Sequence, residues 1–188
     1  IDLILNNDDH DHAHGHNSND GHIHAVEPHV WNSTGNALII AGNTYKALSQ
    51  LDKTNEVYYR NRYDSLCQRI QHTDSLIRRQ LSVPEAAKAF MIYHPALSYF
   101  ARDYGLHQIS IEEGGKEPSP AHLKALIDLC QAEDVRVIFV QPEFDKRNAE
   151  TIAQQTETKV IPINPLSYDW EEEMLNVAKA LAPQAATK

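Results

Sequence analysis

The sequence predicts an α/β fold: a parallel sheet with helices on both faces over residues 84–182, preceded by one long helix. Two patterns carry that prediction. After Pro84, four short apolar runs each lead into a segment of helical periodicity, and successive strand–helix units call for a parallel sheet covered on both sides. Before it, residues 55–81 contain neither Gly nor Pro and mark one apolar stripe at helical spacing. The 188 residues, 41% of them apolar, suffice for one good-sized domain or two small ones, which excludes a disordered tail or a collagen-like rod.

Each element has its own signal. Residues 6–26 are of low complexity, with histidine at positions 10, 12, 14, 16, 22 and 24 among Asp, Asn and Gly, and with no apolar period they read as a loop. Residues 36–49 turn helical through Leu38, Ile39, Tyr45 and Leu48, with a break at 52–54. The long helix carries Tyr59, Tyr63, Leu66, Cys67, Ile70, Ile77 and Leu81 on its stripe and ends before Pro84. At ~1.5 Å per residue it is a rod of roughly 40 Å, which bridges two bodies or lies along the back of both. Residues 89–93 read as a buried strand, and 96–104 as a helix stopped by Gly105 in a left-handed cap. Residues 108–111 form the second strand. Ser119 and Pro120 supply an N-cap and a first helical residue for a helix with Leu123, Leu126, Ile127 and Cys130 on one face. The third strand is 136–140, the next helix 145–156, and the fourth strand 159–163, whose proline places it at a sheet edge. Residues 169–181 close as an amphipathic helix.

Composition narrows the function. A net charge of −9 argues against nucleic acid and anionic membrane as partners. The charge is uneven: residues 1–28 hold Asp2, Asp8, Asp9, Asp11, Asp20 and Glu27 with no Lys or Arg, and six of the eleven histidines lie in the same stretch. Cys67 and Cys130 fit neither a metal-ligand spacing nor a disulfide framework and read as free thiols on apolar helix faces. No apolar run approaches the ~20 residues needed to cross a bilayer. Ile1 lacks the flank of a signal peptide, and residues 1–5 read like the inside of a domain, so a preceding portion is expected.

Ligands of open parallel sheets bind beyond the carboxyl ends of the strands. The residues there are His94, Glu112 and Glu113, Gln141 and Glu143, and Asn164. His94 stands out, because it lies between a wholly apolar strand and Pro95 at the mouth of the sheet. His29 is the second candidate, in Glu27-Pro28-His29-Val30-Trp31, where Pro28 stiffens the approach and Trp31 wedges the turn into a core. It follows directly on the loop, whose mixture of imidazole and carboxylate suits zinc and its borderline neighbours.

Glu27-Pro28-His29-Val30-Trp31 resembles the Asp-Pro-His-Val/Ile-Trp motif of the metal-binding solute-binding proteins of bacterial ABC importers for zinc and manganese. The zinc branch carries a His/Asp-rich loop immediately before that motif, as here. The run from Tyr93-His94-Pro95-Ala96 to Gly105-Leu106 is similar to the family's Phe-His-Asp-Ala-Phe-Gly-Tyr-Phe-Ala, and Glu117-Pro118-Ser119-Pro120, residues 137–142 and Asn164-Pro165-Leu166 follow in the family's order.

The resemblance implies two parallel-sheet lobes joined by one long rigid helix, with metal held between them. Residues 1–53 are then the end of the N-terminal lobe including the His-rich loop 6–26, residues 54–83 the connecting helix, and 84–188 the C-terminal lobe. It also implies that the family's first ligand lies upstream of the motifs present, that His29 and His94 are the second and third, and that Asn164 stands where the fourth, an Asp or Glu, is usual. A neutral amide is a poor zinc ligand, so water, a loop histidine such as His22 or His24, or Asp169 completes the sphere. Histidine at the third position favours Zn²⁺ over Mn²⁺, which prefers oxygen.

The expected function is non-enzymatic: capture of Zn²⁺ as transported ligand, at the periplasm or outer face of the cytoplasmic membrane, by a monomer that delivers it to an ABC permease. His10, His12, His14, His16, His22 and His24 would serve as auxiliary loop ligands. Affinity is expected to fall below about pH 6.5, where free imidazole takes up a proton. The alternatives are a manganese-binding homologue, a zinc buffer relying on the loop alone, and a zinc hydrolase with an open coordination position, although no HExxH or nucleophile elbow is present.

Overall fold

The computed structural model describes residues 1–5 and 26–183, so the expectations for the His-rich loop lie outside the described residues. The chain runs through α1 (Thr34–Leu51), one 3₁₀ turn (Lys53–Asn55), α2 (Glu56–Leu81), β1 (Ala89–Ile92), α3 (Ser98–Tyr104), β2 (His107–Ser110), α4 (Pro120–Ala132), β3 (Val137–Val140), α5 (Arg147–Thr156), β4 (Lys159–Pro162) and α6 (Trp170–Leu181). The four strands form one parallel sheet in the order β2-β1-β3-β4.

Strand alternation divides the core in two. Phe90, Ile92, Val137 and Phe139 pack under α3, α6 and the C-terminal end of α2, while Ala89, Met91, Ile138 and Val140 pack under α4 and α5. Because both faces are covered, β1 and β3 are buried at every position, which is why they read as unbroken apolar runs rather than alternating ones. β4 lies at the sheet edge as its proline requires, and its outer positions are exposed.

Several ends follow their local chemistry. The Ser33 side chain accepts from the Asn36 amide (3.0 Å) and starts α1 two residues earlier than the apolar pattern does. Ser119 accepts from the His122 amide (3.2 Å) with Pro120 at the first helical position. Gly105, at φ 64°, ends α3, and its conformation is one that a Cβ disfavours. α3 begins at Ser98 rather than Ala96, because Ala96 is held in a tight turn on the His94 carbonyl (2.7 Å) and the Leu97 amide is taken by Gln108 Oε1 (2.9 Å).

α2 departs from expectation in its burial. Only Ile70, Thr73, Ile77 and Leu81 are buried, all in its C-terminal part. Further toward its N-terminus the predicted stripe lies along α1 and the turn after it: Tyr63 stacks on Tyr45 with ring centroids 5.0 Å apart, the Tyr59 hydroxyl donates to Asp52 (3.0 Å), and Leu66 stays 39% exposed beside an open apolar groove of about 600 Å³ that Trp31 and Trp170 also line. No helix among the described residues is long and apolar enough to cross a membrane.

Candidate functional site

The strand order decides where a ligand can sit. From β1 the chain leaves through α3 on one face to β2, and from β3 it leaves through α5 on the other face to β4, so a crevice opens between the carboxyl ends of the neighbouring strands β1 and β3. His94 follows β1 into that crevice and Gln141 follows β3. The Gln141 side chain is buried and grips the His94 backbone at both ends, accepting from its amide (3.3 Å) and donating to its carbonyl (2.6 Å). Phe144 stacks against the imidazole, with centroids 5.5 Å apart and planes 21° from parallel.

His29 reaches the same place from outside the sheet. Its turn is pinned by Trp31 Nε1 donating to the Pro165 carbonyl (2.9 Å), Trp170 Nε1 donating to the Trp31 carbonyl (3.0 Å) and buried Asn32 donating to the Ala96 carbonyl (2.9 Å). The Tyr99 hydroxyl donates to the Glu27 carbonyl (2.9 Å) and accepts from the Ile4 amide (3.2 Å), fixing the incoming chain on α3. Trp31 anchors this turn through its indole N–H; its ring does not enter the core as expected but is half-buried and lines the groove beside α1 and α2.

The two imidazoles meet edge to face, centroids 5.0 Å apart, with Nε2 of one 3.3 Å from Nε2 of the other. Their other nitrogens end on carboxylates: His29 Nδ1 on Glu27 Oε1, and His94 Nδ1 on Glu112 Oε1 at 2.9 Å. A carboxylate accepts hydrogen bonds, so each Nδ1–H donates to its glutamate. The two Nε2 atoms then face each other across the gap, where they can share a hydrogen bond or bind a cation together. Burial pushes the Glu27 carboxyl up, but hydrogen bonds from the His29 ring, the His29 amide and Ser98 outweigh it and hold the group below its ordinary range, so it stays anionic.

The other sequence candidates fall differently. Asn164 is exposed; its Oδ1 accepts from the Leu166 amide (3.1 Å) and its own amide donates to Glu173 Oε1 (2.7 Å), so its oxygen is engaged within its own turn and not with the imidazole pair. Asp169, also exposed, precedes α6. Among the described residues no group of three or more His, Cys, Asp or Glu side chains converges as a metal site. Sequence reasoning missed the pairing of the two glutamates with the two histidines. Glu27 stood in the motif two residues from His29, but Glu112 reaches His94 only through the strand register, in which Met91 faces Ile109 and Ile92 faces Ser110.

The profile of the family described as "Zinc-uptake complex component A periplasmic" matches residues 1–182. The chain belongs to that family. Within it, the chain is 30% identical over 152 residues to the "High-affinity zinc uptake system protein ZnuA" of Bacillus subtilis, covering 80% of this chain and 47% of the relative. It is 28% identical over 157 residues to the "Zinc-binding protein AdcA" of Streptococcus pyogenes serotype M1, covering 82% of this chain and 30% of the relative. Among solved structures, a crystal structure of ZnuA superimposes with a TM-score of 0.79 and 31% identity over 84% of this chain and 62% of that one. The chain thus spans less than half the length of these two curated relatives.

Proposed function

We propose that the protein captures Zn²⁺ outside the cytoplasmic membrane and delivers it to an ABC permease, with His29 and His94 as two of the metal's ligands. The observation that carries this reading is the Nε2–Nε2 separation of 3.3 Å. Zinc–nitrogen bonds of about 2.0–2.1 Å at tetrahedral angles put neighbouring ligand nitrogens about 3.3–3.4 Å apart. Imidazole nitrogens as donors favour zinc over manganese, which prefers oxygen. Membership of a periplasmic zinc-uptake family and the zinc-binding names of the relatives support the same substrate and route.

Asn164 stands at the position of the fourth family ligand, and we place it outside the donor set: an amide oxygen already accepting from a backbone N–H is a weak donor to zinc. The remaining positions are filled by donors other than the pair at the sheet mouth.

Zinc titration of the intact protein tests the reading. Each of His29→Ala and His94→Ala should weaken binding by about 100-fold or more, because each removes half of the bidentate edge. Unchanged affinity in both variants would sink it.

A further inference from the structure

The zinc-site reading above uses only the Nε2 atoms; on the opposite side of each ring a carboxylate meets the Nδ1 atom. The Glu27 side chain is 3% exposed and that of Glu112 is 8% exposed. We propose that Glu27 and Glu112 are positioning residues, holding both imidazoles as Nδ1–H tautomers in fixed planes so that their Nε2 lone pairs form a preset edge for Zn²⁺.

The placement of each carboxylate, at the Nδ1 side of its imidazole, suits that role. Glu27 Oε1 accepts from the His29 ring and the His29 amide (2.9 Å), and Oε2 accepts from Ser98 Oγ (3.2 Å), so both oxygens are occupied by protein donors. Ser98 is itself held by Gln108 Nε2 (2.9 Å). This chain of hydrogen bonds runs from β2 through α3 to the His29 turn and orients the ring relative to the sheet. Glu112 is set by a different device. The β1–β2 pairing continues past the strands, with the Ile111 amide donating to Ile92 O (2.9 Å) and the Glu112 amide to Tyr93 O (3.1 Å), and it delivers the side chain beside His94. Phe144 fixes the plane of His94 and Gln141 its backbone, so the carboxylate has only the tautomer and the last rotation to decide. Removing the carboxylate partner of a ligating histidine typically lowers metal affinity by about 10–100-fold.

Glu112 gives the cleaner test, because among the described residues its carboxylate bonds only His94, whereas Glu27 also ties elements together. In the full chain, Glu112→Ala should weaken Zn²⁺ binding about 10–100-fold in competition with a fluorescent chelator, with the urea midpoint little changed. Glu112→Gln, whose amide oxygen can still accept from Nδ1–H, should recover most of the loss. In the zinc-free protein, ¹⁵N NMR should find the His94 ring protonated at Nδ1, and Glu112→Ala should shift it toward the Nε2–H tautomer; a purely structural role would move neither affinity nor tautomer. Affinity within twofold of the parent in Glu112→Ala, or an unchanged tautomer, overturns the proposal. If His94→Ala lowers affinity while Glu112→Ala does not, the zinc site stands and the positioning role falls; if neither lowers it, both fall.

Discussion

The chemistry of this protein rests on few atoms, and single side chains differ sharply in what removing them should do. His29 and His94 are the donor pair of the proposed zinc site, whereas Asn164, at a position where the resemblance implies a ligand, spends its oxygen on the Leu166 amide (3.1 Å). Asn164→Ala should therefore leave zinc affinity within about threefold of the parent, since the change removes one exposed hydrogen bond worth about 1 kcal/mol or less and no donor. A titration in parallel with His94→Ala checks it, and a loss comparable to that of His94→Ala would return Asn164 to the donor set. His94 itself was recognisable from its neighbours in sequence, an apolar strand before it and a proline after it. Glu112 was placed at the same sheet edge, but its pairing with His94 was not legible, because it lies eighteen residues away and meets it across a strand pair.

At the scale of elements, the long helix shows how a pattern can be right about conformation and silent about burial. The absence of Gly and Pro over residues 55–81 correctly predicts an unbroken helix, observed as Glu56–Leu81. The same stripe holds Ile77, wholly buried against the sheet layer, and Leu66, 39% exposed beside the groove. Periodicity tells which residues share a face, not what covers that face. Ile77→Ala should cost about 2–5 kcal/mol through lost burial and the cavity left behind, and Leu66→Ala less than about 1 kcal/mol. Urea denaturation of the two variants measures the difference, and equal losses would mean that the two halves of α2 are equally covered.

The whole molecule is tied together by a second polar cluster away from the histidines. Asp74 of α2 accepts from Thr34 of α1 (2.8 Å), Tyr104 of α3 (2.8 Å) and Arg78 one turn on (2.8 Å). Burial pushes its carboxyl up, but the hydrogen bonds from Arg78, Tyr104 and Thr34 prevail and hold it below the ordinary range; burial also pushes the Tyr104 hydroxyl up, so that it stays a donor. With the folded pKa below the unfolded one, the unfolded chain binds more protons between the two values, so stability rises with pH there. The contribution of Asp74 is fully present above about pH 4, the range of an unfolded aspartate, and is lost as the pH falls through its lower folded value. Asp74→Asn should flatten the acid side of the stability curve. Thermal melts from pH 2 to 6 check this, and identical acid slopes in parent and variant would contradict it.

By itself the sequence determined the order and kind of the elements, the edge position of β4, the caps at Ser119 and Gly105, and the two histidines worth attention. All of these are local properties, set by side-chain period, by the missing N–H of proline and by the φ that glycine tolerates. Only the tertiary structure decided which face of α2 is covered, that the turn carrying His29 is pinned to the loops after β1 and β4, and that each imidazole has a carboxylate at its back. Those are contacts between residues far apart in the chain, created when the β2-β1-β3-β4 order brings separate strand ends to one crevice. The acidic, histidine-rich start of the chain pointed to cations; the 3.3 Å between two nitrogens sixty-five residues apart came only from the fold.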